Sequence, residues 1–156
     1  MLDIWKHITE LSFRGFGIKK RKKPKTPKNF QEWSKESQER WLKNTEETMK
    51  RNEKWDEMFV ENETRVVDDL CRRIVHLIDQ ANTLHPYYLF EWEQQRLMQD
   101  EAIGLCSNLK QELNHIADTI PCNKNFLTIQ TDDIEKEIAL IRGWRRSCNS
   151  IRDKMK

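Results

Sequence analysis

Three groups of residues in this 156-residue chain have the types and spacing to do chemistry. The first is segment 14–28, RGFGIKKRKKPKTPK, whose eight basic residues (Arg14, Lys19, Lys20, Arg21, Lys22, Lys23, Lys25 and Lys28) are interrupted by no acid. Such a run suits a polyanion, because each phosphate it neutralises releases a counterion and adds affinity. Phe13, Phe16 and Phe30 flank it, and aromatic rings stack on unpaired bases. Without a nucleic acid, the same run reads as a solubilising tail or as a crude nuclear-import pattern. The second group is Arg142-Gly143-Trp144-Arg145-Arg146. Its arginines suit phosphate or partner contacts, and equally the negative end of a helix dipole. Gly143 costs about 1 kcal/mol against Ala inside a helix, so it calls for a reason such as close approach of a neighbouring helix. The third group is Glu112 with His115, three residues apart, the spacing of one half of a di-metal bundle site. The second Glu-x-x-His copy that such a site needs is missing, so a surface role is expected for this pair, with neither a metal nor a cofactor.

No catalytic constellation stands out. Glycine-rich phosphate loops, HExxH and GxSxG are absent, and Cys71, Cys106, Cys122 and Cys148 form no CxxC pair. The cysteines are expected to be reduced core thiols. The expectation is therefore a protein that is not an enzyme.

These residues need elements to hold them. Hydrophobic residues make up 37% of the chain and charged residues 35%, with only 4 Gly and 4 Pro, a balance that favours long helices over turn-rich β structure. Residues 1–12 carry Leu2, Trp5, Ile8 and Leu11 on one helical face. The Gly, Pro and repelling charges of 14–28 predict an extended, mobile arm. From Phe30 the chain reads as helix. Trp33, Trp41, Thr48 and Trp55 form a sparse seam over 31–58, and a second helix is expected from near Asn62, with Val67, Leu70, Cys71, Ile74, Leu77, Ile78 and Ala81. His85-Pro86 breaks it. A third helix reaches Ile120 with Ala102, Cys106, Leu109, Leu113 and Ile116, and Pro121 ends it. Thr131, with Asp132 and Asp133 in the first turn, predicts the start of a fourth, with Ile134, Ile138, Ile141, Trp144, Cys148 and Ile151 as its seam. The fold expected is all-α: an antiparallel four-helix bundle over 30–156, with a short amphipathic helix and flexible basic arm over 1–29.

The net charge of +2 conceals a division. Residues 1–31 carry nine basic side chains against two acids, a net of +7; residues 142–156 carry six against one, a net of +5; the stretch between is therefore −10. Basic ends on an acidic body point to a polyanionic partner. The chain has no apolar run of 18 residues and no secretory pattern at its N-terminus, so a cytoplasmic protein without a membrane partner is expected.

The closing stretch 134–147, IEKEIALIRGWRRS, resembles the last helix of a four-helix-bundle family. That family comprises the proteins encoded in intervening sequences of 23S ribosomal RNA genes and the accessory variability determinant of diversity-generating retroelements, found in bacteria and phages. Glu137-Ile138 and Gly143-Trp144-Arg145-Arg146-Ser147 carry the motif, and the similarity spans roughly residues 62–150. Many members have Gly-Gly-Trp where this chain has Arg142-Gly143-Trp144, and the basic arm lies outside the shared part. The resemblance implies a homopentamer with a basic surface that is not itself catalytic. Such a protein binds the retroelement's reverse transcriptase and template RNA during mutagenic cDNA synthesis. It also implies a packing role for Trp144 and RNA or polymerase contacts for Arg142, Arg145 and Arg146. The other branch implies a homo-oligomeric helical protein without a polymerase partner.

Overall fold

The computed structural model describes residues 17–155, and the amphipathic stretch 1–12, Phe13, Arg14 and Phe16 lie outside that range. The described residues form three long helices, α1 (Lys35–Thr83), α2 (Leu89–Thr119) and α3 (Lys124–Ser147), followed by the single turn α4 (Asn149–Arg152). A 3-10 turn, Phe30–Glu32, precedes α1. The long helices pack together around one core, and there is no strand among the described residues.

The seam over 31–58 and the helix expected from near Asn62 are one helix of 49 residues, roughly 74 Å long at 1.5 Å per residue. Sequence periodicity changes near Asn62, but nothing there can end a helix. Neither Gly nor Pro occurs between Lys35 and Thr83, and Asn62 turns its amide onto Glu63 Oε1 at 3.1 Å instead of capping. Ser34 caps the start by accepting the Ser37 N–H at 3.3 Å. The two halves of α1 are held by different forces. Its buried residues, Glu63, Val67, Cys71, Ile74, Ile78 and Ala81, all lie in the C-terminal half. The N-terminal half has Glu46–Lys50 as an i,i+4 pair, with Glu61–Arg65 and Asp68–Arg72 further along. Pairs this exposed contribute little, because solvent screens them. Burying Ile74 alone contributes about 1.5–3 kcal/mol. The body is anchored by its core, and the first half of α1 extends beyond it.

At the Pro86 end, α1 stops at Leu84, and the carboxylate of Glu91 accepts the N–H groups of Tyr87 (2.8 Å) and Tyr88 (3.2 Å) to start α2. The first turns of α2 then clamp both neighbours. Gln95 Nε2 donates to the carbonyls of Ala81 (2.8 Å) and Leu84 (3.2 Å), while buried Trp92 Nε1 donates to the Cys148 carbonyl at 2.9 Å. Arg96 and Arg152 lie 5.0 and 5.6 Å from the Trp92 ring. Gln95 faces the end of α1 and Asp100 faces Arg145 near the end of α3, so each helix runs opposite to its neighbour.

At the Pro121 end the fourth sequence helix starts earlier than Thr131. Asn123 caps α3 through the Phe126 N–H (3.5 Å), and Leu127 is buried one turn before the expected start. The Thr131 hydroxyl donates to the Leu127 and Thr128 carbonyls, so Thr131 sits inside the helix rather than capping it. The seam read over 134–151 ends at Cys148, after which the chain makes the short turn α4. Core residues from all three helices, among them Ile74, Leu109, Leu113, Ile116, Ile134 and Ile141, are essentially inaccessible to solvent.

Candidate functional site

The basic segment leaves the Pro121 end as an extended strand-like stretch and is tied down where it begins. Asn123 N–H donates to the Gly17 carbonyl (2.9 Å), Lys19 N–H donates to the Pro121 carbonyl (2.8 Å), and Ile18 bridges Cys122 in antiparallel fashion. Gly17 has φ +58°, and a Cβ there would stand 3.1 Å from the Asn123 Cβ, so this position requires glycine. Four residues on, Arg21 grips Asp56 of α1 through Nε (2.7 Å) and Nη2 (2.8 Å), with its guanidinium 6.0 Å from the Trp55 ring. That hydrogen bond raises the arginine's pKa further above its usual value. Phe30 closes the far end by packing on Trp33 and Trp41 at ring distances of 5.6 and 5.2 Å, which engages the ring that the sequence offered for base stacking.

The segment and the projecting half of α1 enclose a groove of about 920 Å³. Lys19, Lys20, Arg21 and Lys22 line one side of it, and Glu53, Asp56, Glu57 and Glu61 line the other. Opposite charges across the groove attract, so the acidic body holds part of the arm's charge itself. The ammonium groups of Lys19, Lys20, Lys22, Lys23, Lys25 and Lys28 nevertheless belong to exposed residues and enter no ion pair among the described residues. Lys23 does lower the Glu46 carboxyl, as a smaller contribution after the hydrogen bond from Lys50.

The second basic group lies at the opposite end of the body. From Lys124 to Arg145 is 21 positions of α3, about 32 Å. Arg142 and Arg146 are exposed. Arg145 is engaged by Asp100 of α2, with Nε 2.8 Å from Oδ1 and Nη2 donating to Oδ2 at 3.0 Å. Trp144 is partly buried against the core. A Cβ on Gly143 would meet nothing within 4 Å, so close helix approach is not the reason for this glycine within the chain. The arm and the α3 end therefore form two basic surfaces, not one.

A third arrangement crosses α1 and α2. Glu63, 7% exposed, reaches across to Glu112 and His115, and one ligand atom from each lies within 4.8 Å of the others. The hydrogen bond to Glu63, partial burial and the Glu63 charge push the Glu112 carboxyl up to about 7, against a smaller lowering by His115. Phe59 lies 5.8 Å from the His115 ring. The sequence displayed the Glu112–His115 half of this cluster. Glu63 was hidden because its register became visible only once α1 ran unbroken through Asn62. The available signal was a glutamate four residues before Val67, on the apolar side of the helix.

The buried thiols of Cys71 and Cys106 are pushed up to about 12, chiefly by burial, and all four cysteines are free. No helix among the described residues is long and apolar enough to cross a membrane. No family model matches the chain, and neither the curated proteins nor the solved structures contain a match.

Proposed function

We propose that the protein is a non-catalytic, RNA-binding accessory subunit of a reverse transcriptase, of the diversity-generating-retroelement kind. The observation that carries this reading is the row Lys20, Lys22, Lys23, Lys25 and Lys28, exposed along an extended backbone that Arg21 and Phe30 hold against α1. A fixed row of ammonium groups presents charge to a phosphate backbone without first having to be ordered. The exposed Arg142 and Arg146 suit a second contact, to the polymerase, some 32 Å along α3 from the arm's root. The same proposal includes the antiparallel four-helix bundle and the homopentamer. Because α1 is unbroken, the fourth helix would come from another copy, packing on residues 35–58 of α1, where Trp41 and Trp55 are incompletely covered.

The test is the salt dependence of single-stranded RNA binding. Each phosphate contact contributes about 0.7 to the slope of log K against log salt. The variant Lys20→Gln, Lys22→Gln, Lys23→Gln, Lys25→Gln removes four charges and should lower that slope by about 2.8. An unchanged slope excludes the arm. The polymerase part is tested by retention of reverse transcriptase activity on the immobilised protein, expected to drop on Arg142→Glu with Arg146→Glu.

One observation favours a second reading. The acidic wall of Glu53, Asp56, Glu57 and Glu61 already faces the arm, as befits a homo-oligomeric helical protein of the intervening-sequence type whose basic segment is a structural strap. In that case RNA affinity is weak and independent of the four lysines.

A further inference from the structure

The cluster on α1 and α2 belongs to none of the contacts above. Glu112 and His115 are one turn apart on α2, so they project from the same face of the helix, and that face meets Glu63. Glu63 is almost fully buried, and burying carboxylates without a compensating positive charge is costly. No Lys or Arg is ion-paired with either glutamate among the described residues. Two groups hydrogen-bond Glu63: the Asn62 amide, which donates to Oε1 at 3.1 Å, and the carboxyl of Glu112.

From these positions we propose that Glu63, Glu112 and His115 bind one divalent first-row transition-metal ion. Metal–ligand bonds to imidazole and carboxylate are about 2.0–2.2 Å, so ligand atoms around one ion stand roughly 3–4.4 Å apart. The three ligand atoms lie within 4.8 Å of one another, so they reach that spacing with side-chain adjustment alone. An imidazole among carboxylates selects for Zn2+, Mn2+ or Fe2+ over Mg2+ and Ca2+, which prefer oxygen alone. Asn62 orients Glu63 from outside the coordination sphere, and the Phe59 ring shields the imidazole. Three protein ligands leave the remaining positions to water. The ion would pin α1 to α2 at the level where α1 leaves the core, since Glu63 is its first buried residue.

The experiment uses the full chain, stripped with a chelator and dialysed. Isothermal titration with Zn2+ should show one site per chain, accompanied by a rise in Tm that Mg2+ at the same concentration does not give. Mn2+, which disfavours thiolates, should occupy the same site, read by loss of the free-ion electron paramagnetic resonance signal. Glu63→Gln keeps the side chain's shape and should weaken both ions at least tenfold. His115→Ala, at an exposed position, should do the same without disturbing the fold. His76→Ala and Cys122→Ser should leave both titrations unchanged. Absence of a stoichiometric site in the wild type overturns the proposal. So does binding that survives Glu63→Gln and His115→Ala, or that is lost on Cys122→Ser.

Discussion

Gly143→Ala isolates what the Gly-Trp motif does. In a helix interior Ala is favoured over Gly by about 0.8–1 kcal/mol, because glycine loses more backbone freedom on folding. That gain is realised only where the added methyl clashes with nothing. A Cβ at 143 has open space for 4 Å, and the same holds at Gly104 on α2, so each substitution should stabilise the isolated chain. Position 143 lies in the last turns of α3, where fraying trims the gain to about 0.5–1 kcal/mol. For a chain of this size that is a rise in Tm of about 1–4 °C. Urea unfolding at low protein concentration measures it, with Gly104→Ala as the matched control. If Gly104→Ala stabilises and Gly143→Ala destabilises, something occupies the space beside Gly143 in solution, and the open space on that side of α3 is refuted. If Gly143→Ala stabilises the dilute chain but weakens self-association or polymerase capture, the glycine serves an interface.

Other perturbations test other parts. Trp92→Phe keeps a benzene ring but removes the pyrrole part of the indole and the N–H that donates to the Cys148 carbonyl, which also accepts the Ile151 N–H at 3.2 Å, so the lost bond and the cavity together should cost about 1–3 kcal/mol in urea unfolding; a loss below half a kcal/mol would refute the packing of Trp92 under the α3 end. Asp56→Asn should speed limited proteolysis between Lys19 and Lys28 while changing global stability by under about 1 kcal/mol, since the Arg21 pair lies at the surface. Unchanged cleavage would show that Arg21 does not hold the segment. At alkaline pH the thiols Cys71 and Cys106, pushed up to about 12 in the fold, stay protonated where an unfolded chain, with thiols near 9, has released its protons. Their stabilising contribution is complete below pH 9 and is lost as pH rises toward 12. Cys71→Ala should therefore flatten the fall of stability across that window by about 1.4 kcal/mol per pH unit, and an unaltered slope would refute the burial argument.

Much of the body was legible because its periodicity is strong. Leu109, Leu113, Ile116, Ile134, Ile138 and Ile141 all lie in the core that their 3–4 spacing predicted. Boundaries were less legible, for two physical reasons. Asn62 is a weak helix former that lies between a tryptophan seam and an aliphatic one, and a change of seam looks like a change of helix although no residue there stops the backbone. Thr131 with two aspartates looks like a cap, yet the Asn123 cap and buried Leu127 come first. Of the candidate site residues, the basic ones were legible by type but not by engagement. Nothing local in Arg21 or Arg145 distinguishes them from the free lysines and arginines beside them, because their partners Asp56 and Asp100 are 35 and 45 residues away. Glu63 went unread for the same reason. A side chain that meets its partners across two helices has no spacing signature.

The length of α1 bears on how the molecule should be weighed. A compact chain of this size has a radius of gyration of about 15 Å. A helix of roughly 74 Å whose first half stands clear of the core gives a larger frictional drag than that mass implies. On a sizing column a monomer will elute early and pass for a small oligomer. Subunit counting for this protein therefore rests on scattered-light mass or sedimentation equilibrium, where elongation does not enter, and the gap between that mass and the elution volume is itself a measure of how far α1 extends.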